Sequence, residues 1–238
     1  MEGCSVNLEE QIRQNYSNII ENIKISAQKV GRSSEDIRIV AVTKTHPVDA
    51  IRAAIQAGLS VFGENYAQEL REKAELLKGE NIEWHFIGRI QTNKLKYIVP
   101  VATLIHSVYR IEEVREIDKI AKKLLKIQDI LIEVNVSGEG TKGGLKPEEV
   151  FDFLNNIRHY ENIRVKGLMT MAPYVDPEET RPYFKKLREL RNELLKEFSD
   201  ISELSMGMTN DYWIAVEEGA TILRIGTAIF GERKYKGE

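Results

Sequence analysis

The first residue with an evident chemical use is a lysine at the end of an apolar run. Lys44 directly follows Ile37-Arg38-Ile39-Val40-Ala41-Val42-Thr43. An amine so placed has two readings. Its long stem can carry the charge out to water. Alternatively, burial favours the neutral form, which is the form that attacks an aldehyde. The second group is a pair of glycine turns, Ser205-Met206-Gly207-Met208-Thr209 and Arg224-Ile225-Gly226-Thr227. Glycine lets the backbone approach an anion, and N–H groups at a helix start point toward it. Without a ligand, the same glycines simply make tight turns. The third group is Arg224, which keeps its proton. Against a pyridine nitrogen it would donate a hydrogen bond and leave the ring a weak electron sink. Its ordinary alternative is an ion pair with Glu217 or Glu218. An amine, an anion cradle and a permanent cation are together what a phosphorylated aldehyde cofactor needs.

The elements that must position these groups alternate. Leu8, Ile12, Ile19, Ile23 and Val30 are spaced for a helix from about Asn7, a cap with Glu10 in capping-box position, to a stop at Gly31. Strands are predicted at Ile37–Thr43, Leu59–Phe62, Ile82–Ile87, Thr103–Ser107, Ile130–Val136, Ile163–Thr170, Ile201–Met206 and Thr221–Ile225. Helices are predicted from Pro47 to Gly58 and at Ala67–Leu77, Thr92–Ile98, Ile111–Leu125, Pro147–Arg158, Pro177–Phe198 and Asp211–Glu218. An open doubly wound sheet and a closed barrel both fit such alternation. The count of strands and a length of 238 residues, near the ~250 typical of barrels, favour the second. The expected fold is therefore α/β, a single (β/α)8 TIM-type barrel over residues 1–238 with an extra N-terminal helix. Its functional end is the C-terminal ends of the strands. That end gathers Lys44, Asn65, Glu133, Asn135 and both glycine turns. The Ser137–Gly144 loop reads as a rim of that face.

Composition narrows the partners. With 34 Lys and Arg against 37 Asp and Glu, the formal charge is −3. This gives no electrostatic case for a nucleic-acid or membrane partner. The lone cysteine, Cys4, excludes an intrachain disulfide and reads as an inert thiol, and no metal site is expected. No apolar run approaches the ~18 residues of a membrane span, and the N-terminus lacks a signal-peptide layout. A cytoplasmic protein is expected.

Six segments carry a resemblance. They are Ala41-Val42-Thr43-Lys44-Thr45, Phe62-Gly63-Glu64-Asn65-Tyr66, His85 through Lys94, Gly167-Leu168-Met169-Thr170-Met171, Ser205 through Thr209, and Arg224 through Gly231. In this order, over nearly the whole chain, they resemble the pyridoxal phosphate homeostasis proteins, whose barrel is similar to the N-terminal domain of alanine racemase. The resemblance implies pyridoxal 5'-phosphate as cofactor, with Lys44 as its Schiff-base lysine and Arg224 as partner of the pyridine nitrogen. It assigns Ser205, Gly207, Gly226 and Thr227 to the phosphate, with Met206 among the binding residues and Asn65 in the cofactor surroundings. Thr209 stands where the family usually has serine and retains the hydroxyl. For His85 and Gln91–Lys94 the ordinary reading is a hydrogen-bonded strand histidine and a helix start capped by Thr92.

Two functions differ in class. The protein binds, buffers and delivers the cofactor, with apo-enzymes as recipients, or it is a small amino-acid racemase. Racemisation needs proton-transfer groups on both faces of the α-carbon. In alanine racemase the group opposite the lysine comes from another subunit's C-terminal domain, whereas here seven residues, Glu232–Glu238, follow Gly231. Tyr66 and Tyr109 are the remaining candidates. A non-catalytic, monomeric carrier is expected. A third reading, a sugar-phosphate enzyme forming an imine on Lys44, would leave the protein colourless.

Overall fold

The computed structural model describes residues 3–140 and 143–232, with side chains from residue 8 onward. The side chains of Cys4 and Asn7, the residues Thr141 and Lys142 of the glycine-rich loop, and residues 233–238 lie outside what is described. The chain begins with α1 (Gly3–Lys29) and enters the sheet through β1 (Arg38–Val42), α2 (Val48–Gln56), β2 (Val61–Glu64) and α3 (Ala67–Leu76). There follow β3 (Glu83–Phe86), α4 (Leu95–Ile98), β4 (Leu104–Val108), α5 (Ile111–Lys123) and β5 (Gln128–Glu133). The last third comprises α6 (Val150–Ile157), β6 (Ile163–Met169), α7 (Pro177–Leu194), β7 (Glu203–Ser205), α8 (Tyr212–Glu217), β8 (Ile222–Ile225) and α9 (Thr227–Phe230). Each strand pairs in parallel with the next, and β8 closes on β1, so eight strands form the expected barrel.

Several boundaries differ from expectation, each for a local reason. The backbone is already helical at Gly3, so Asn7 lies inside α1 and does not cap it. Ile12, Ile19, Ile23 and Ala27 form its buried stripe, while Val30 is exposed. That stripe packs on α2, α8 and α9. Thr92 is no cap either: Gln91 is the extended residue, and Thr92–Lys94 is a 3-10 turn leading into α4. β5 ends at Glu133 because the glycine-rich loop folds back. Leu145 N–H donates to Glu133 O at 2.9 Å, and Asn135 N–H to Leu145 O at 2.8 Å. Among the described residues, no helix is long and apolar enough to cross a membrane.

The barrel interior has an apolar layer and a polar one. Val40, Leu104, Leu131, Met169 and Ile222, from five strands, pack together with Val61. Nearer the C-terminal ends, the same alternation turns His85, His106, Glu133, Ser205 and Arg224 into buried positions. Where β5 meets β6 the register shifts, pairing Ile130 with Val165 and Leu131 with Gly167. A Cβ on Gly167 would fall on the Glu203 backbone. Gly167→Ala is therefore expected to lower unfolding stability by about 1–3 kcal/mol or more, the usual cost of overpacking, as measured by denaturant titration; an unchanged midpoint would contradict this.

Burial pushes the Glu133 carboxyl up to about 7, against the pull of Arg224 and with the help of Glu113. The native state thus holds a proton between pH 4.5 and about 7 that the unfolded chain has released, so stability falls as pH rises through this window. Glu133→Gln should remove this dependence. Its stability relative to wild type is expected to rise from pH 5 to pH 8, by at most roughly 3 kcal/mol. Unfolding curves at the two pH values check it, and a pH-independent difference would refute it.

Candidate functional site

The C-terminal ends of β1, β2, β6, β7 and β8 surround a cavity of about 280 Å³ whose wall includes Lys44, His46, Asn65, Asp211, Arg224, Gly226 and Thr227. Five of the eight residues anticipated from sequence thus meet at one place.

Lys44 is partly buried and sits in a turn closed by His46 N–H donating to Thr43 O at 2.9 Å. The next residue, Thr45, has a φ of 65°. A β-branched residue in this left-handed region is a true outlier, and such outliers persist only where the surroundings enforce them. Here enforcement comes from α3. Glu69 Oε2 accepts from Thr45 N–H at 2.9 Å. Lys73, which is 7% exposed, donates to Glu69 Oε2 at 2.8 Å, to Glu64 Oε1 at 2.7 Å and to Thr43 O at 2.8 Å. Burial alone would raise the Glu69 carboxyl, but the bonds from Lys73 and Thr45 outweigh it and hold it below its ordinary value. Both neighbours of Lys44 are therefore pinned by one buried ion cluster.

Arg224 is 5% exposed. Its Nη1 donates to Ser205 Oγ at 2.5 Å and its Nη2 to Thr170 O at 2.8 Å. Burial lowers it to about 10, with Asp211 and Glu133 opposing, so it stays cationic at neutral pH. The alternative partners are engaged elsewhere. Glu217 and Glu218 bind Arg181 at 2.8 and 3.2 Å, and Lys29 and Arg188 add to them at 3.1 and 2.8 Å. Two of the five N–H bonds of a guanidinium are thus fixed, and the group still lines the cavity.

The two glycine turns differ in kind. Gly207 has a φ of 95°, and a Cβ there would lie 2.6 Å from Ala215 Cβ. Its identity is demanded by the turn, which Asp211 closes by accepting from Met208 N–H at 2.6 Å. Gly226 has a φ of −115°, and its nearest neighbour for a Cβ would be Val42 at an ordinary 3.4 Å. Neither conformation nor packing requires glycine at 226; what it leaves is bare backbone on the cavity wall. There Gly226 caps α9, whose first N–H groups have no acceptor within the helix. Of these, Ala228 N–H bonds to Thr209 Oγ1 at 3.2 Å.

Ser205 and Met206 behave otherwise. Ser205 is fully buried, with its hydroxyl between Arg224 and His106 Nδ1, the latter at 2.9 Å. Met206 has its side chain in the core and its N–H on Ile222 O at 3.1 Å. Their polar groups are occupied inside the barrel and not presented to an anion, because β7 still alternates inward at Ser205. Asn65 is the reverse case. Its Oδ1 is buried with no hydrogen-bond partner, an unmet polar atom on the cavity wall.

Tyr66 and Tyr109 do not line this cavity; Tyr174, 91% exposed, and His46, whose ring lies 4.7 Å from that of Phe230, do. His85 is the hydrogen-bonded strand histidine expected, but its partner His106 was missed. A histidine inside the otherwise apolar run Leu104-Ile105-His106-Ser107-Val108 was the available signal.

A family model described as alanine racemase, N-terminal domain, matches residues 14–234. A pyridoxal phosphate homeostasis protein of Aquifex aeolicus is 48% identical over 221 residues, covering 92% of this chain and 97% of that one. A crystal structure of an unknown protein from Bifidobacterium adolescentis superposes with a TM-score of 0.89 at 33% identity, covering 97% of each chain. PipY of Synechococcus elongatus PCC7942, solved with PLP bound, gives 0.81 at 30% identity, covering 92% of this chain and all of that one. On this match over almost its whole length, the chain belongs to the pyridoxal phosphate homeostasis protein family, built on the alanine racemase N-terminal fold.

Proposed function

We propose that the protein binds pyridoxal 5'-phosphate in the cavity at the barrel mouth, with Lys44 as covalent anchor, and buffers or delivers it to apo-enzymes that require it. The observation that carries this reading is the meeting of Lys44, Arg224 and the open backbone of Gly226 and Thr227 in one small cavity. At about 280 Å³ it lies just below the usual range for small-ligand sites, ~300–1,000 Å³. The relative PipY, of the same fold, was solved with PLP bound.

The residues present fit the group. Backbone N–H groups at 226 and 227 suit a phosphate. A ligand hydroxyl would satisfy the unmet Asn65 Oδ1. Arg224 offers a donor that cannot take up a proton, so a pyridine nitrogen facing it stays unprotonated. When bound, the cofactor supplies an electrophilic aldehyde and a ring that withdraws electrons only weakly while its nitrogen is unprotonated. Ser205 supports this site from below through Arg224, and Gly207 shapes the neighbouring turn.

Holding, not turnover, is the reading these side chains favour. Proton transfer on both faces of a substrate needs a second group within hydrogen-bond reach. Of the titratable side chains on the cavity wall, Asp211 accepts from Met208 N–H through Oδ1, His46 packs its ring against Phe230 at 4.7 Å, and Tyr174 is 91% exposed. Purified protein mixed with pyridoxal phosphate is expected to turn yellow, and Lys44→Ala to abolish the colour and weaken retention at least tenfold, by absorbance and equilibrium dialysis. Loaded protein is expected to leave standard amino acids unchanged. Racemisation or transamination abolished by Lys44→Ala would replace the carrier reading with the enzymatic one.

A further inference from the structure

Below the cavity, a line of polar contacts runs from the half-buried Glu83 through the barrel interior. Glu83 begins β3 at its N-terminal end, and its Oε1 lies 2.9 Å from His85 Nε2. His85 Nδ1 is 2.9 Å from His106 Nε2, and His106 Nδ1 is 2.9 Å from Ser205 Oγ. Ser205 Oγ in turn receives Arg224 Nη1 at 2.5 Å. Both histidines are 0% exposed.

The hydrogens on this line are determined from both ends. Arginine has no acceptor, so Arg224 must donate to Ser205. At the other end Glu83 is held below the usual carboxylate range, first by the bond from His85, and Arg38 lies 3.2 Å away. A carboxylate only accepts, so His85 carries its hydrogen on Nε2. Its Nδ1 is then bare when the ring is neutral and must accept from His106 Nε2–H. His106 Nδ1 is bare in turn and accepts the Ser205 hydroxyl hydrogen. Burial depresses both imidazolium forms, His106 strongly. Every link therefore donates in one direction, from Arg224 toward Glu83. An added proton would reverse the histidine bonds and aim two donors at Ser205 Oγ.

We propose that Glu83, His85, His106 and Ser205 are positioning residues, a one-way hydrogen-bonded column that presents Arg224 to the ligand in the cavity. The column supplies Arg224 with a neutral acceptor, as Thr170 O does, and so fixes the guanidinium without cancelling its charge. A carboxylate in the place of Ser205 would hold the arginine equally well but neutralise it. This role for Arg224 rests on the cofactor reading given above; the direction of the column does not.

Two measurements separate these layers. Long-range proton–nitrogen NMR of the histidine-labelled, ligand-free protein at pH 7 should find His85 and His106 neutral, each with its hydrogen on Nε2. Either ring found cationic, or carrying its hydrogen on Nδ1, would overturn the column. The second measurement compares pyridoxal phosphate affinity and thermal unfolding for His106→Asn and His106→Leu. Asparagine can still accept from Ser205 and leucine cannot. The column predicts that His106→Leu binds at least tenfold more weakly than wild type while His106→Asn stays within about threefold. A merely structural histidine predicts no such order, because leucine suits the buried slot better than asparagine does. Equal affinities for wild type and His106→Leu would overturn the positioning role. If wild type itself fails to bind the cofactor, the functional reading falls while the NMR result still decides the column, including when a variant does not fold.

Discussion

The site depends on where the Lys73 ammonium sits. It is buried under the end of β1, and its three acceptors are the carboxylates of Glu64 and Glu69 and the backbone carbonyl of Thr43. Removing one partner from a buried ion pair typically costs about 3–5 kcal/mol, so the cluster holds its geometry firmly. What it fixes is the chain on either side of Lys44. Thr43 is bonded directly, and Thr45 is held through Glu69 in a conformation that a β-branched residue otherwise avoids. A lysine side chain is long and flexible, but here its root is not. Strand β1 and helix α3 thereby convert a strand-end residue into one aimed at the barrel mouth.

Arg224 completes the opposite wall by a different principle. An isolated buried cation is costly unless it is paired or well hydrogen-bonded. This one is bonded to a hydroxyl and a carbonyl and feels Asp211 and Glu133 only at longer range. Its charge is lowered in cost but not cancelled, and it remains available to the cavity. In the proposed complex that charge keeps the ring nitrogen unprotonated, which suits retention of the cofactor better than rapid chemistry on it.

The parts of this arrangement legible in the sequence are those that local pattern controls. Eight apolar runs separated by helical spacing predict the barrel, and residues at strand ends such as Lys44, Asn65, Gly226 and Thr227 predict its mouth. Errors arise where a residue lies one alternation inside the strand end. The resemblance assigns Ser205 to the phosphate, whereas β7 reaches it and turns its hydroxyl inward to Arg224 and His106. Partners far apart along the chain are invisible to pattern. His106 and Ser205 meet across 99 positions, and nothing near either announces the other. Lys73 is hidden for another reason: on a polar amphipathic helix a lysine reads as solvated, and only the fold shows that this one faces the barrel. Gly207 and Gly226 look alike in sequence and are separated only by their φ angles and neighbours.

The central claim is that Lys44, held by the Lys73 cluster, is the covalent anchor for pyridoxal phosphate. Borohydride reduction of the loaded protein followed by peptide mapping tests it most directly. A single reduced adduct is expected, on the peptide containing Lys44. A major adduct on any other lysine, or none under conditions where the cofactor is bound, would contradict it.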